Sequence, residues 1–335
     1  MYRPKSLMRK HLLTIPVILT VATGCDNVAW GGIDVDLKPP PVSSRGSAVG
    51  AEVEEELGAA NFAGPILLAG VRDGARADFV IVGEVHPEML QEFPDPAFPE
   101  DVERLDRISA AGSEWILFAE GVRVGRMVAD AVRPADDFCG SRATISGVVE
   151  LVPTAATAER LLALPADNAR DWEYRDYQAI PHSYDQRVAT LSIAGEAIPE
   201  YEATWPPLGV LDARDHIQAF QLQGTQGQAV AATFMYQDQL AVASPRQGAY
   251  SLFVLGRQVG AAYEDTYVWY RSVEAEGKGA PRYFDHLDWD GDGLDEILVD
   301  VFGSNRRWFA VLEREDDSWV RTFQDSCGSG SGPGS

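Results

Sequence analysis

From residue 66 onward the chain alternates short runs of β-branched and aromatic residues with clusters of Gly, Asp, Asn and Pro. Such runs predict strands, because a pleated and half-buried surface favours stiff branched side chains while the intervening residues favour turns. Strands are expected at 66–71, 78–85, 115–119, 122–128, 144–152 and 187–193, then at 217–222, 229–236, 251–255 and 266–271. Two stretches carry helical spacing instead. Pro99 opens one in which Val102, Leu105 and Ile108 share a face; residues 155–164, with Leu161, Leu162 and Leu164 before Pro165, form the other. The last part is the most regular, with strands at 297–302, 307–314 and 318–323. Their connectors, Gly303-Ser304-Asn305 and Glu315-Asp316-Asp317, are good turn chemistry, so the three form a β-meander. In its first strand Ile297, Val299 and Val301 lie on one face and Leu298, Asp300 and Phe302 on the other, which predicts burial on both sides. The fold class expected is mainly β: antiparallel meanders forming a sandwich or an incomplete propeller-like β domain, with a few short helices. A composition shift near Pro206-Pro207 divides it into a β-rich N-terminal domain, 61–205, and a β-rich C-terminal domain, 206–327, followed by a flexible Gly/Ser tail, 328–335.

The first residues follow another pattern. Arg3, Lys5, Arg9 and Lys10 precede an apolar stretch at 12–22, and Ala22-Thr23-Gly24 stand directly before Cys25. A basic patch, a short apolar segment and small residues in that order mark a secretory signal, here 1–24. The stretch is shorter than the roughly 20 apolar residues that span a bilayer. With Cys25 next, the segment resembles the lipobox of bacterial lipoproteins, although Ala22 stands where leucine is usual. That resemblance implies acylation of Cys25 (palmitate among the chains), a membrane anchor, and an extracytoplasmic place in the bacterial cell envelope. Residues 25–60 then form a tether, stiff at Pro39-Pro40-Pro41 and flexible at 43–47, ending in an acidic run of Glu52, Glu54, Glu55 and Glu56.

Composition narrows the partners. A net charge of -23 makes nucleic acid a poor partner, since phosphate contacts require a basic surface. With 10% aromatic residues the folded part is too rich in Trp, Tyr and Phe to be disordered. Of the three cysteines, a lipidated Cys25 leaves Cys139 and Cys327, which either pair in an oxidising compartment or remain free thiols.

One segment carries specific chemistry. Asp288, Asp290 and Asp292 alternate, Gly293 permits a sharp turn, Leu294 can offer its carbonyl and Glu296 can close the far side. Calcium takes 6–8 oxygen ligands, and a loop curled around a cation would supply most of them. The start matches an EF-hand, but position twelve is Val299 rather than Glu and lies in a strand pattern. The segment resembles instead the DxDxDGxxD/E loop of FG-GAP and VCBS-type repeats, where the loop feeds directly into a strand; a single copy stands over 283–323. The implied cofactor is a structural calcium ion that fixes the turn before the 297–323 meander.

Other signals are weaker. Gly83-Glu84-Val85-His86 after an apolar strand resembles the start of the ChaN-like haem-binding lipoproteins, which would make His86 a metal ligand. His182, His216 and His286 are scattered, and the metalloprotease, nucleophile-elbow, P-loop and dinucleotide-binding signatures are missing from the sequence, so no catalytic residue is assigned. Tyr267, Trp269 and Tyr270 could stack on carbohydrate but are at core spacing. The function expected is a non-enzymatic binding or scaffold lipoprotein, with an envelope protein or polysaccharide as partner. The alternative is a secreted hydrolase whose site is assembled from scattered carboxylates; a minor alternative is haem or metal binding through His86.

Overall fold

Strand β1 (Ile66–Asp73) turns through Gly74 into its antiparallel partner β2 (Arg76–Val85), and the short β3 (Leu90–Gln91) adds to the end of β2. Helix α1 (Pro99–Ile108) precedes β4 (Glu114–Ala119), β5 (Val122–Pro134), β6 (Ala143–Leu151) and β7 (Arg160–Pro165). These strands pair in the order β1-β7-β4-β5-β6-β2, and β2 returns to β1, so the six close into an antiparallel barrel. Closure leaves no unpaired edge within the ring. The computed structural model describes residues 64–87, 89–94, 99–140, 142–167, 175–316 and 318–328. The expected signal segment (1–24), Cys25, the expected tether (25–60) and residues 329–335 lie outside them. Among the described residues no helix is long and apolar enough to cross a membrane.

The chain continues through α2 (Tyr184–Glu200) and α3 (Val210–Ala213) to β8 (Arg214–Phe220), β9 (Ala229–Tyr236), β10 (Tyr250–Val259) and β11 (Ala262–Ser272). These four strands form one antiparallel meander. After α4 (Val273–Glu276) a second meander follows, formed by β12 (Ala280–Leu287), β13 (Glu296–Phe302), β14 (Arg307–Glu315) and β15 (Ser318–Gln324). The protein is thus mainly β and antiparallel throughout its named sheets.

Side-chain alternation stacks these parts. Inward residues of the barrel, among them Ile66, Phe79, Trp115, Leu117 and Ile145, fill its interior. Outward ones, including Leu67, Val82, Phe118 and Leu162, pack on Phe284, Leu298 and Phe309 of the second meander. The opposite face of that meander, with Tyr283, Ile297 and Val299, packs on Phe220, Phe253 and Trp269 of the first. The far side of the first meander, Phe234, Leu252 and Val254, is covered by Ile193, Ala197 and Ile198 of α2. Strand β13 is therefore buried along its whole length. Within it, Asp300 is neutralised by Arg282 (3.0 and 2.5 Å) and Arg307 (2.9 Å).

Two expectations are corrected. Residues 187–193 are helical, inside α2, not a strand. Ser183 caps that helix, accepting from Gln186 N (3.2 Å) while the Gln186 side chain returns to Ser183 N (2.7 Å), and this reciprocal cap outweighs the β-branched composition. Residues 155–164 are not a helix: a 3-10 turn at Pro153–Ala155 leads into β7. Leu161–Leu164 are buried on both faces between β1 and β4, a setting in which a strand need not alternate.

Candidate functional site

The loop between β12 and β13 curls by side chain-to-backbone bonds that its spacing dictates. Asp288 accepts from Gly291 N (2.8 Å), Asp290 from Asp292 N (3.0 Å) and Asp292 from Leu294 N (2.7 Å). Each aspartate closes a small turn on the residues just after it. Gly291 and Gly293 adopt φ of 92° and 94°, where a side chain would be strained. Carboxylate oxygens of Asp288, Asp290, Asp292 and Glu296 then lie within 4.8 Å of one another. Asp288 and Glu296 are buried, Asp290 and Asp292 exposed. Burial first, then the neighbouring Asp290 charge, pushes Glu296 up to about 10; its Oε2 accepts from Trp289 N (3.0 Å). Four hard oxygen donors around one point, with glycines where the chain must fold back, suit a calcium ion.

Asp295, in the same loop, turns the other way. Its Oδ2 accepts from Gln223 N (2.5 Å) and lies 3.7 Å from His286 Nε2. Strand β12 thus runs from the loop into a second polar region, built on the turn between β4 and β5. Glu120 and Gly121 form that turn with φ of 49° and 69°, the doubly left-handed geometry that suits a two-residue hairpin. Gly121 fits because a Cβ there would meet the His286 ring at 2.8 Å. Glu120 is a poor residue for this conformation, which is easiest for Gly, Asn or Asp.

The Glu120 backbone N–H donates to Asp285 Oδ1 (2.9 Å), and a carboxylate oxygen of each lies within 4.8 Å of the other. Glu120 Oε1 accepts from Gln218 Nε2 (3.3 Å), while Oε2 is buried without a hydrogen-bond partner among the described residues. Burial pushes Glu120 up to about 7, against the pull of Arg160. Asp285 is raised well above the usual carboxylate range by burial and then by Glu120. Like charges this close cannot both ionise cheaply, which adds to the cost of burying the pair.

His286 adjoins the pair but is not a free ligand. Its Nδ1 faces the Tyr283 hydroxyl (2.6 Å) and its Nε2 the Gln221 carbonyl (3.0 Å), while burial lowers its pKa. The neutral tautomer with the proton on Nε2 satisfies both contacts. A cleft of about 430 Å³ opens on Glu120 and Asp285, and Arg160, Tyr177, Gln218 and Phe284 also line it. Sequence spacing could not assemble this cleft, since Glu120 and Asp285 are 165 residues apart. The one local signal was a glutamate in a tight turn that favours smaller polar residues.

Elsewhere, His86 lies 3.5 Å from Glu84, which Arg104 also engages at 2.8 Å. Among the described residues the groups spaced to hold a metal ion are Asp288, Asp290, Asp292 and Glu296, and Glu120, Asp285 and His286; His86 is in neither. Cys139 and Cys327 are joined in a disulfide with a Cα–Cα distance of 6.2 Å. Beside it a buried ion pair links Arg142 to Asp325, and burial pushes Asp325 up to about 6. Comparison with protein-family models, with curated proteins and with solved structures found no match.

Proposed function

We propose that the chain is a lipoprotein of the bacterial cell envelope, anchored through Cys25, whose folded part carries a structural calcium ion and works by binding or scaffolding. Its partner would be an envelope protein or polysaccharide. The observation that carries this reading is the convergence of Asp288, Asp290, Asp292 and Glu296 within 4.8 Å at the start of β13, the strand buried between the barrel and the first meander. Leu294 would add its carbonyl. A cation there neutralises repelling carboxylates and holds the turn from which the second meander starts, a structural task.

Melting curves with calcium and with chelator test it. At a hundred-fold excess over Kd a bound ion stabilises by about 2.7 kcal/mol, which for a domain of this size raises Tm by roughly 5–10 °C. Asp290→Ala is expected to abolish that gain and to melt like wild type in chelator. An unchanged calcium response in the variant removes the reading. The anchor is tested separately: Cys25→Ala should lose labelled palmitate and leave the membrane fraction.

One observation favours the second reading, a hydrolase: the closely spaced, buried Glu120–Asp285 pair opens on a cleft, as an acid catalyst would. Release of fragments from envelope polymers, lost in Glu120→Gln, would establish it.

A further inference from the structure

The cleft is lined by groups of both signs. Arg282, on one wall, is taken up by Asp300 at 3.0 and 2.5 Å. Arg160 forms no hydrogen bond or ion pair through its guanidinium among the described residues, although it acts electrostatically on Glu120 and Asp285. In the same cleft, Glu120 Oε2 is buried with no hydrogen-bond partner among the described residues. A desolvated carboxylate oxygen without a donor costs about 1–3 kcal/mol or more, so its retention in a strained turn needs a reason.

We propose that this cleft binds a zwitterionic small molecule of the amino-acid or short-peptide class, its carboxylate on Arg160 and its ammonium group on the Glu120–Asp285 pair. A simple anion would meet two carboxyls and the exposed Glu159 at the rim; a simple cation would meet Arg160. A molecule with both poles satisfies both kinds of group. The planar guanidinium suits a carboxylate by a two-pronged contact. An arriving ammonium group supplies the donor that Glu120 Oε2 lacks, and its positive charge offsets the repulsion between the two carboxylates. Phe284 and Ala119 supply apolar surface for a small side chain, and a cleft of about 430 Å³ accommodates one or two residues.

The inference rests on reading the chain as a binding protein, and the test separates the two. The full chain, purified in detergent, is titrated calorimetrically with each common amino acid and with alanyl-alanine at millimolar concentration. Every probe that binds is then compared with its N-acetyl and C-amide derivatives. Blocking either pole is expected to weaken binding by at least about ten-fold, and so are Arg160→Gln and Glu120→Gln in protein of unchanged circular dichroism. Binding of blocked derivatives as tightly as the free probe overturns the assignment, as does absence of binding by every probe. Cleavage of alanyl-alanine in the cleft would support the assignment while replacing the binding-protein reading with the hydrolase one.

Discussion

At the scale of single residues, Glu120 carries the most unusual combination. Its backbone sits at φ 49°, and burial pushes its carboxyl up to about 7. Both features cost stability. A left-handed non-glycine residue costs on the order of 1–2 kcal/mol. The carboxyl binds its proton more tightly folded than unfolded, so its contribution is full below about pH 4.5 and is lost as pH rises through about 7. Across that window the loss is on the order of 3 kcal/mol. Glu120→Asn removes the charge and suits the turn. It is therefore expected to stabilise by about 1 kcal/mol at pH 5 and by more at pH 8. Glu120→Gln should flatten the pH dependence without relieving the turn. Denaturant unfolding at the two pH values checks both, and equal gains for Glu120→Asn at pH 5 and pH 8 would show that the carboxyl is not shifted. A residue that lowers stability twice is more readily explained by function than by folding.

At the scale of elements, legibility followed whether the information was local. The loop at 288–296 was readable because its carboxylates are contiguous and the bonds that curl it reach two or three residues. The strand at 297–302 was readable because turn residues flank an apolar run, and β13 differs from it by one residue. The run at 187–193 misled because Val188, Thr190 and Ile193 suit a strand by composition. Yet the buried positions Gln186, Thr190, Ile193, Ala194, Ala197 and Ile198 recur with helical period, and Ser183 with Gln186 spells a capping box. Period, rather than composition, decides this segment. The run at 161–164 is truly ambiguous, since a short apolar segment buried on both faces has no period to read. The cap gives a direct test of what holds α2: Ser183→Ala is expected to cost about 1 kcal/mol in chemical unfolding, with Ser183→Asp close to wild type. Equal loss in both variants would show that the hydroxyl itself packs, rather than caps. The barrel's closure and the Glu120–Asp285 cleft depend on pairings between distant strands, which no local pattern records.

At the scale of the whole molecule, the covalent link between Cys139 and Cys327 bears on a stack of layers that burial alone does not close. Cys139 follows β5 on the barrel side, and Cys327 follows β15 at the end of the second meander. The bond spans 188 residues, a loop whose closure in the unfolded chain is worth about 5 kcal/mol in the chain-entropy model. Its neighbours reinforce the same junction: Asp325 accepts from Phe309 N at 2.7 Å and pairs with Arg142, which also donates to the Val82 carbonyl (2.8 Å). Losing the bond therefore frees a chain end whose remaining polar contacts include a buried ion pair, and such pairs contribute little once their surroundings loosen. A double Cys139→Ser, Cys327→Ser variant is expected to lose several kcal/mol in urea. Wild type in reductant should approach that value, and the variant should be insensitive to reductant. Because the loop proposed to hold calcium sits between β12 and β13, away from this junction in the chain, calcium should still raise the variant's Tm. Loss of the calcium response together with the bond would instead mean that loop and junction unfold as one unit.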